Sequence, residues 1–321
     1  AFRALLVGRV VFQIGTAAQG LAIAWEIYSR TNDPFALGMV ALIKGLPMIL
    51  FTLPAGYLAD AFDRRKIILL SLGGATLTSF TLAALSWNEG TLWIMYAALF
   101  LDSTCARMGG PAGSAIAPLL VPRHLFESAI KWSTNMFQFT SLAGPALGGI
   151  IIAWNLQAAY LFCAGSSVVF MILIAGLKIP ESTRAKPGKM VRQVLDGIRF
   201  VWHRKIVLGA ASLDLFAVLF GGAVYLLPLF AKDILTVRPF GMSAEHALGW
   251  LLAAPSAGAL LMGLLLAHRP PLKKAGRAMF MGVMCFGLAT IVFGLSRHFW
   301  LSWAMLFLVG FFDNISVVVR Q

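Results

Sequence analysis

The sequence predicts an all-α membrane protein with about ten transmembrane helices, and three observations support this prediction. Hydrophobic residues make up 59% of the 321 positions and charged residues only 12%. Apolar stretches long enough to cross a bilayer recur along the whole chain, and Lys and Arg cluster between them. A water-soluble domain of this composition, with a mean hydropathy of +0.83, would expose enough apolar surface to aggregate.

Ten stretches are apolar enough to form spans, since about 20 largely apolar residues cross the hydrocarbon core. Six of them lie near 4–28, 36–58, 67–87, 91–119, 132–153 and 158–178. Four more lie near 206–230, 247–267, 277–296 and 299–320. The first stretch contains Arg9, which the short apolar core of a signal peptide would not carry, so we expect it to remain a membrane helix.

A polar, basic segment divides the spans into two groups and predicts three regions. Residues 1–178 would form a six-helix bundle, 179–205 a cytoplasmic linker with an interfacial amphipathic helix, and 206–321 a second bundle holding spans seven to ten. The apolar side of the interfacial helix is Val191, Val194, Leu195, Ile198, Val201 and Trp202. Because the chain starts without Met and its tenth span has no exit loop, we expect a partial chain that would not transport alone.

The distribution of basic residues predicts the orientation of the chain. Of the 26 Lys and Arg, 18 fall in loops on one face of the membrane and four on the other. Cytoplasmic loops are enriched in these residues, so the N-terminus of this multi-pass protein is predicted to be cytoplasmic. The net charge of +13 does not predict a nucleic-acid partner, because the clusters alternate with apolar stretches.

Metal and enzyme chemistry are not expected. The three cysteines each lie in an apolar stretch without the spacing of a thiolate metal site, and we interpret them as buried apolar residues. The five histidines fall in loops or at span ends. Neither a metal cluster nor a nucleophile with an adjacent base lies within the spans, so the sequence predicts neither an enzyme nor a metal site.

The most specific motif runs from Gly56 to Lys66, between the second and third spans. Gly56 would allow close helix approach, while Asp60 with Arg64 and Arg65 could form charge-assisted contacts that lock one conformation and release in another. The alternative is an ordinary basic loop on the cytoplasmic side.

This motif, Gly-Tyr-Leu-Ala-Asp-Ala-Phe-Asp-Arg-Arg-Lys, resembles the loop two-three signature of the major facilitator superfamily. It departs from the family pattern at Ala61, where a basic residue is usual, and at Asp63, where glycine is common. The halves also echo each other weakly: Phe100-Leu101-Asp102 in span four matches Phe311-Phe312-Asp313 in span ten, which is typical of two-bundle transporters.

The fifth span carries a second motif, Gly144-Pro145-Ala146-Leu147-Gly148-Gly149. It is similar to the Gly-Pro signature of antiporters in the superfamily. Proline removes a backbone donor and glycines permit close packing, so this segment could bend during gating. A packing kink without a gating role is the alternative.

Three further segments resemble the enterobactin-exporter-like branch of the superfamily: 28–38, 252–259 and 313–321. The resemblance implies a major facilitator fold of two six-helix bundles, here truncated to about ten helices. It also implies proton-driven efflux of siderophores or drug-like molecules. The transmembrane proton gradient would be the energy source, without a cofactor.

Charged residues within spans are candidates for function, because each costs about 2.5–3.5 kcal/mol on insertion scales. These residues are Arg9, Lys44, Asp102, Arg107, Asp214, Asp313 and Arg320. Asp102 and Arg107 project about 140° apart on one helix, so each needs another partner. We expect Asp102 to neighbour Arg9 or Arg107. One carboxylate among Asp102, Asp214 and Asp313 would bind and release the coupling proton, unless it forms a fixed structural ion pair.

Several other polar residues have two interpretations. Lys44 would snorkel or pair across helices, with contact to substrate as the alternative, and Glu26 would sit at a solvated rim, with a role in coupling as the alternative. Four amides could bind substrate or merely join helices: Gln13, Gln19, Asn135 and Gln138.

The sequence thus predicts a monomeric secondary active transporter in the lipid bilayer that exports a small amphipathic substrate by alternating access. An importer or lipid transporter on the same fold is the first alternative, since a fold does not fix direction or substrate. A non-transporting receptor or scaffold is the second.

Overall fold

The computed structural model describes residues 2–116, 120–122, 125–177, 203, 209, 222–235, 239–267 and 275–320. The linker helix predicted in 179–205, most of the seventh predicted span, and Asp214 lie outside the described residues.

Helices account for the architecture of the described residues. The first six are α1 (Phe2–Thr31), α2 (Pro34–Ala61), α3 (Arg64–Trp87), α4 (Leu92–Ile116), α5 (Phe126–Trp154) and α6 (Leu156–Gly176). A single turn, α7 (Leu227–Leu229), follows a 3₁₀ turn (Gly222–Leu226) and precedes a π turn (Phe230–Ile234). The last three are α8 (Ala244–Ala267), α9 (Ala275–Leu295) and α10 (Phe299–Arg320). The all-α fold class is confirmed.

Within the described residues, seven helices are long and apolar enough to cross a membrane: α1, α2, α3, α5, α6, α8 and α9. The apolar part of α10 is shorter, Phe299–Ile315, and α4 is not among the seven. Large apolar side chains on the helix surfaces, such as Ile172 (64% exposed) and Leu295 (79% exposed), suit contact with lipid. The number of about ten spans stays a prediction.

Short polar residues set where several helices begin. Asp33 precedes Pro34 and accepts a hydrogen bond from the backbone N–H of Phe35 at 2.9 Å. Asp63 caps α3 in the same way through the N–H of Arg65, also at 2.9 Å. Each carboxylate satisfies a backbone donor that the first helical turn leaves free, so tight connections join α1 to α2 and α2 to α3.

The helices pack in two groups that meet at one side of the molecule. In the first group, α1 packs against α5 and α6, α2 against α4, and α3 against α4 and α6. In the second group, α8 and α9 both pack against α10. The groups meet where α5 packs on α8 and where α1 and α2 contact residues 222–234.

The described contacts between the two groups concentrate on the side of the α1–α2 connection, which we call the loop side. The larger core cluster is on that side and joins both groups, with Ile23 and Tyr160 from the first and Phe230 and Leu248 from the second. A smaller cluster near the α2–α3 connection includes Leu5, Ile68 and Ile174 and belongs to the first group. This asymmetry leaves a cavity between the groups.

Candidate functional site

A cavity of about 500 Å³ lies between the two helix groups. Its walls are mostly apolar and include three aromatic rings, from Phe12 of α1, Phe137 of α5 and Tyr225 of the 3₁₀ turn. Polar groups also reach it, namely Gln13, Thr16, Thr140 and Ser141. Lys44 of α2 carries the only charge among the described residues of the lining. An apolar pocket with a few polar groups is typical of a site for a small molecule.

The ammonium of Lys44 lies against α1 at Gly20. Its Nζ is 2.9 Å from the position that a Cβ of residue 20 would take. Glycine at this position therefore makes room for the ammonium between α1 and the cavity. A larger residue would push Lys44 away from α1.

Asp102 of α4 lies inside the first helix group, close enough to Lys44 for the two opposite charges to interact. The helices α2 and α4 both start on the loop side and run parallel. Lys44 and Asp102 each lie ten residues beyond the first residue of their helix, Pro34 and Leu92. Both are therefore about 15 Å from the loop-side ends, near the middle of the membrane.

Three polar side chains from α1 and α3 surround the carboxylate of Asp102. Thr78 Oγ1 donates to Asp102 Oδ1 at 3.1 Å, and the side chain of Gln19 lies nearby. Gln19 in turn accepts from Ser79 Oγ at 2.6 Å, and both residues are buried. A hydrogen bond thus ties the carboxylate of α4 to α3.

No described hydrogen bond or ion pair joins Asp102 to Arg9 or Arg107, the neighbours expected for it. The cation whose charge acts on this carboxylate is Lys44, rather than Arg9 or Arg107. Arg107 is exposed on α4, because it projects away from the face that packs on α2 and α3. Arg9 lines a smaller cavity of about 220 Å³ with Gln13 and Phe137.

The remaining candidates are spread over the molecule. Asp313 is exposed on α10, and Asp214 lies outside the described residues. Gln19 joins α1 to α3, and Gln13 accepts a hydrogen bond from Thr140 Oγ1 at 3.1 Å on the cavity wall. Asn135 and Gln138 of α5 are exposed and partly exposed, and neither is among the described residues of the central cavity lining.

The α2–α3 motif forms a local network rather than a tight helix contact. Arg64 pairs with Asp60 at 3.9 Å, although the Asp60 side chain is 70% exposed. Arg65 donates to the backbone carbonyl of Ala175, which ties the motif to the end of α6. At Gly56, where close helix approach was expected, a Cβ would meet no heavy atom of the described residues within 4 Å, so that role stays a prediction.

Glycines of the α5 motif do lie at close helix contacts. A Cβ at Gly148 would come within 2.9 Å of Ala18 Cα on α1, and one at Gly144 within 2.7 Å of Ala17 Cβ. On the other face, a Cβ at Gly149 would come within 2.8 Å of Gly249 Cα on α8. The motif thus lets α5 approach both helix groups closely.

Polar contacts join the two groups at the loop side. The hydroxyl of Tyr28 donates to the carboxylate of Asp233, and Lys232 Nζ donates to Asn32 Oδ1 at 2.7 Å. The same ammonium lies 5.4 Å from the centre of the Tyr28 ring, within range of a cation–π contact. Tyr28 is buried, so these contacts close the loop side above the cavity.

A buried ion pair braces the same side within the first group. Glu26, expected at a solvated rim, is only 2% exposed. It pairs with Arg30 at 2.5 Å and accepts a hydrogen bond from Tyr160 at 2.7 Å. Arg30 also donates to the backbone carbonyls of Gly90 and Leu85. The pair therefore ties α1 to α6 and to the α3–α4 connection.

Replacing Arg30 with Met should destabilise the protein, because Glu26 would remain buried without its cation. Breaking a buried pair costs about 3–5 kcal/mol, and the partial exposure of Arg30 favours the lower end. The apparent melting temperature of the purified protein in detergent would fall. Arg297→Met, at an exposed arginine, is the matched control. Equal melting of the Arg30 variant and the control would contradict the structural role of the pair.

Among the described residues, no group of three or more His, Cys, Asp or Glu is arranged to hold a metal ion. The expectation that no metal or cofactor is needed stays a prediction. The chemistry available at the cavity is that of proton binding, hydrogen bonding and apolar contact.

Comparison with known proteins identifies the family of the chain. The family model described as Major Facilitator Superfamily matches residues 5–319. Macrolide efflux protein A of Streptococcus pyogenes is 25% identical over 82% of this chain and 66% of its own length. The enterobactin exporter EntS of Escherichia coli is 26% identical over 100% of this chain and 76% of its own length. The chain thus spans about two thirds to three quarters of these relatives.

Solved structures support the same fold. A structure of a proton-dependent oligopeptide transporter matches with a TM-score of 0.74, covering 99% of this chain and 82% of that one, at 13% identity. The efflux relatives confirm the resemblance to the enterobactin-exporter-like branch, and the apolar helices place the protein in a membrane. The chain therefore belongs to the Major Facilitator Superfamily, as a multi-pass membrane transporter rather than an enzyme.

Proposed function

We propose that this transporter is a secondary active exporter that uses the proton gradient to expel small amphipathic molecules by alternating access. The observation that carries the proposal is that Asp102 lies at the same depth as Lys44, the single described charge on the cavity wall, on a helix that packs against α2. A carboxylate in this position can hold the coupling proton within reach of the substrate site.

The surroundings of Asp102 suit reversible proton binding. The ionised carboxylate accepts a hydrogen bond from Thr78 Oγ1 at 3.1 Å and is attracted to the ammonium of Lys44. When Asp102 is protonated, it no longer carries the negative charge that compensates the ammonium of Lys44. The net charge at the cavity wall therefore differs between the ionised and the protonated form of Asp102. Coupling between proton and substrate requires such a difference.

Export is favoured by the relatives, because the two similar curated proteins are named for macrolide efflux and enterobactin export. The apolar lining and the aromatic rings of the cavity suit amphipathic molecules. Siderophores and drug-like compounds are the candidate substrates.

With a cytoplasmic N-terminus in a bacterial inner membrane, the loop side would face the periplasm. The contacts of Tyr28 with Asp233 and of Asn32 with Lys232 then close the periplasmic side. The conformation would be inward-facing, with the cavity ready to load substrate from the cytoplasm. Alternating access would open these contacts and close the opposite side.

The other parts of the proposal concern the moving elements. Two six-helix bundles, 1–178 and a second one of which 206–321 forms part, would rock about the cavity as a monomer, joined by the linker 179–205. The α2–α3 motif would stabilise one conformation through Asp60, Arg64 and Arg65, and the α5 motif would bend at Pro145. Asp214 and Asp313 remain candidates for assisting the proton, and Arg9 and Arg107 for tuning it. Gln13, Asn135 and Gln138 are candidate substrate contacts.

The test uses the full-length gene product in a bacterial host that lacks its own efflux pumps. Accumulation of fluorescent dyes and of a catecholate siderophore is measured with and without a protonophore. Export predicts lower accumulation with the protein than with an empty vector, and loss of this difference with the protonophore. Higher accumulation would indicate import, and no difference, with the protein detected in the membrane, would refute transport of these compounds.

A further inference from the structure

The charges of Lys44 and Asp102 bear on which substrate charge the cavity can accommodate. Lys44 is the only charged group among the described lining residues, and the remaining wall is mainly apolar. Asp102 is not among these lining residues; it lies at the same depth on α4, and its carboxylate accepts a hydrogen bond from Thr78. A molecule in the cavity therefore meets Lys44 directly and Asp102 only through Lys44.

We propose that the exported substrates are uncharged amphipathic molecules, because only these would be exchanged for the proton on Asp102. The inference rests on the proposed function, in which Asp102 carries the coupling proton. It deepens that function by assigning the substrate class and the residue, Lys44, that selects it.

The physical reason is the net charge of the pair. With Asp102 ionised, Lys44 and Asp102 together carry no net charge, and with Asp102 protonated they carry one positive charge. An empty cavity holds water that solvates a lone ammonium. An uncharged substrate displaces this water, and a lone charge loses more solvation than a neutral pair does. Substrate binding therefore favours the ionised form and releases the proton, which is the sign that antiport requires.

A charged substrate would not couple in this way. An anion at Lys44 is attracted most strongly when Asp102 is protonated, so its binding would take up a proton. Proton and anion would then cross the membrane together, which is symport rather than antiport. A cation would be repelled by Lys44 at the wall and would bind weakly.

Other groups near Asp102 do not supply a compensating charge. The helix α2 contributes Lys44, and α1 and α3 contribute the neutral side chains of Gln19, Thr78 and Ser79. The thiols of Cys105 on α4 and of Cys163 on α6 also face this carboxylate. Among the described residues, the charge balance at Asp102 thus depends on Lys44.

The experiment compares two fluorescent probes that differ in one group. Dansylglycinamide is uncharged near neutral pH, and dansylglycine carries a carboxylate. Each probe is added to the purified full-length protein in weakly buffered detergent solution, and a pH-sensitive dye records proton release or uptake on binding. Probe fluorescence gives the affinity between pH 6 and 8. These measurements require binding only, so they are independent of the transport assay.

Dansylglycinamide should bind with proton release, and its affinity should rise with pH by up to about tenfold per unit. Dansylglycine should bind more weakly as the pH rises, with proton uptake. In Asp102→Asn neither probe should move a proton. In Lys44→Met the sign for dansylglycinamide should reverse, because the ionised carboxylate is then the lone charge.

Several results would overturn the inference. These are proton release by both probes, failure of dansylglycinamide to bind, or an unchanged proton signal in Lys44→Met. The proposed function fails separately, if no compound is exported in a protonophore-sensitive manner. Correct proton signs without export would therefore refute the export proposal and leave the charge selection intact.

Discussion

Asp102→Asn is expected to abolish proton-driven net export, while exchange of an uncharged substrate continues only at raised substrate concentration, because the lone charge of Lys44 weakens its binding. Asn has the shape of the protonated carboxylic acid and can still accept the hydrogen bond from Thr78 Oγ1, which is 3.1 Å from Asp102 Oδ1. It cannot release a proton, so the gradient would no longer drive the cycle. Net export should fall by roughly tenfold or more, which corresponds to a loss of at least about 1.4 kcal/mol of coupling free energy.

Proteoliposomes containing the full-length protein separate the two activities. Net export is measured under an imposed pH gradient, and exchange is measured with labelled and unlabelled substrate at equal pH. Glu89→Gln, which neutralises an exposed carboxylate in the α3–α4 connection, is the matched control. If Asp102→Asn exported as well as Glu89→Gln, Asp102 would not carry the proton.

The second large expected effect concerns the contact between Asn32 and Lys232. A cross-link between cysteines introduced at these two positions should stop transport. The Lys232 ammonium donates to Asn32 Oδ1 at 2.7 Å, and the neighbouring Tyr28 donates to Asp233. Alternating access requires these contacts to separate whenever the loop side opens. A short thiol-specific linker between cysteines at positions 32 and 232 would hold the loop side closed and reduce transport to the level of an empty vector.

The natural cysteines, Cys105, Cys163 and Cys285, are replaced by Ala in the background for this experiment. Each single-cysteine variant, treated with the same reagent, is the control for chemical modification alone. A linker that contains a disulfide allows transport to be restored by a reductant. Full transport by the cross-linked protein would show that the loop side does not need to open.

The helices were predictable from the sequence because hydropathy in a membrane protein follows from the thickness of the bilayer. The predicted stretch 67–87 corresponds to α3 (Arg64–Trp87), and 299–320 corresponds to α10 (Phe299–Arg320). The beginnings of α2 and α3 were also readable, since Asp33 and Asp63 are capping residues next to turns.

The partner of Asp102 was missed, although the sequence held a usable signal. Lys44 and Asp102 lie equally far from the starts of two helices that enter the membrane from the same side. Comparing depth along parallel helices would have paired them. Spacing within α4 instead directed attention to Arg107, which projects to the exposed surface.

Burial of Glu26 could not be predicted, because it depends on contacts distant in sequence. Its carboxylate is covered by Tyr160 from α6, and its partner Arg30 is held by carbonyls of the α3–α4 connection. Only the packing of α1 on α6 brings these groups together.

Uptake into everted membrane vesicles tests proton-driven export most directly. In such vesicles the cytoplasmic face points outward, so an exporter loads substrate from the medium and accumulates it inside. With an imposed gradient, acid inside, an exported dye should accumulate above its external concentration, and both a protonophore and the Asp102→Asn substitution should prevent this. Accumulation that persists without the gradient, or that requires the opposite gradient, would contradict proton-driven export.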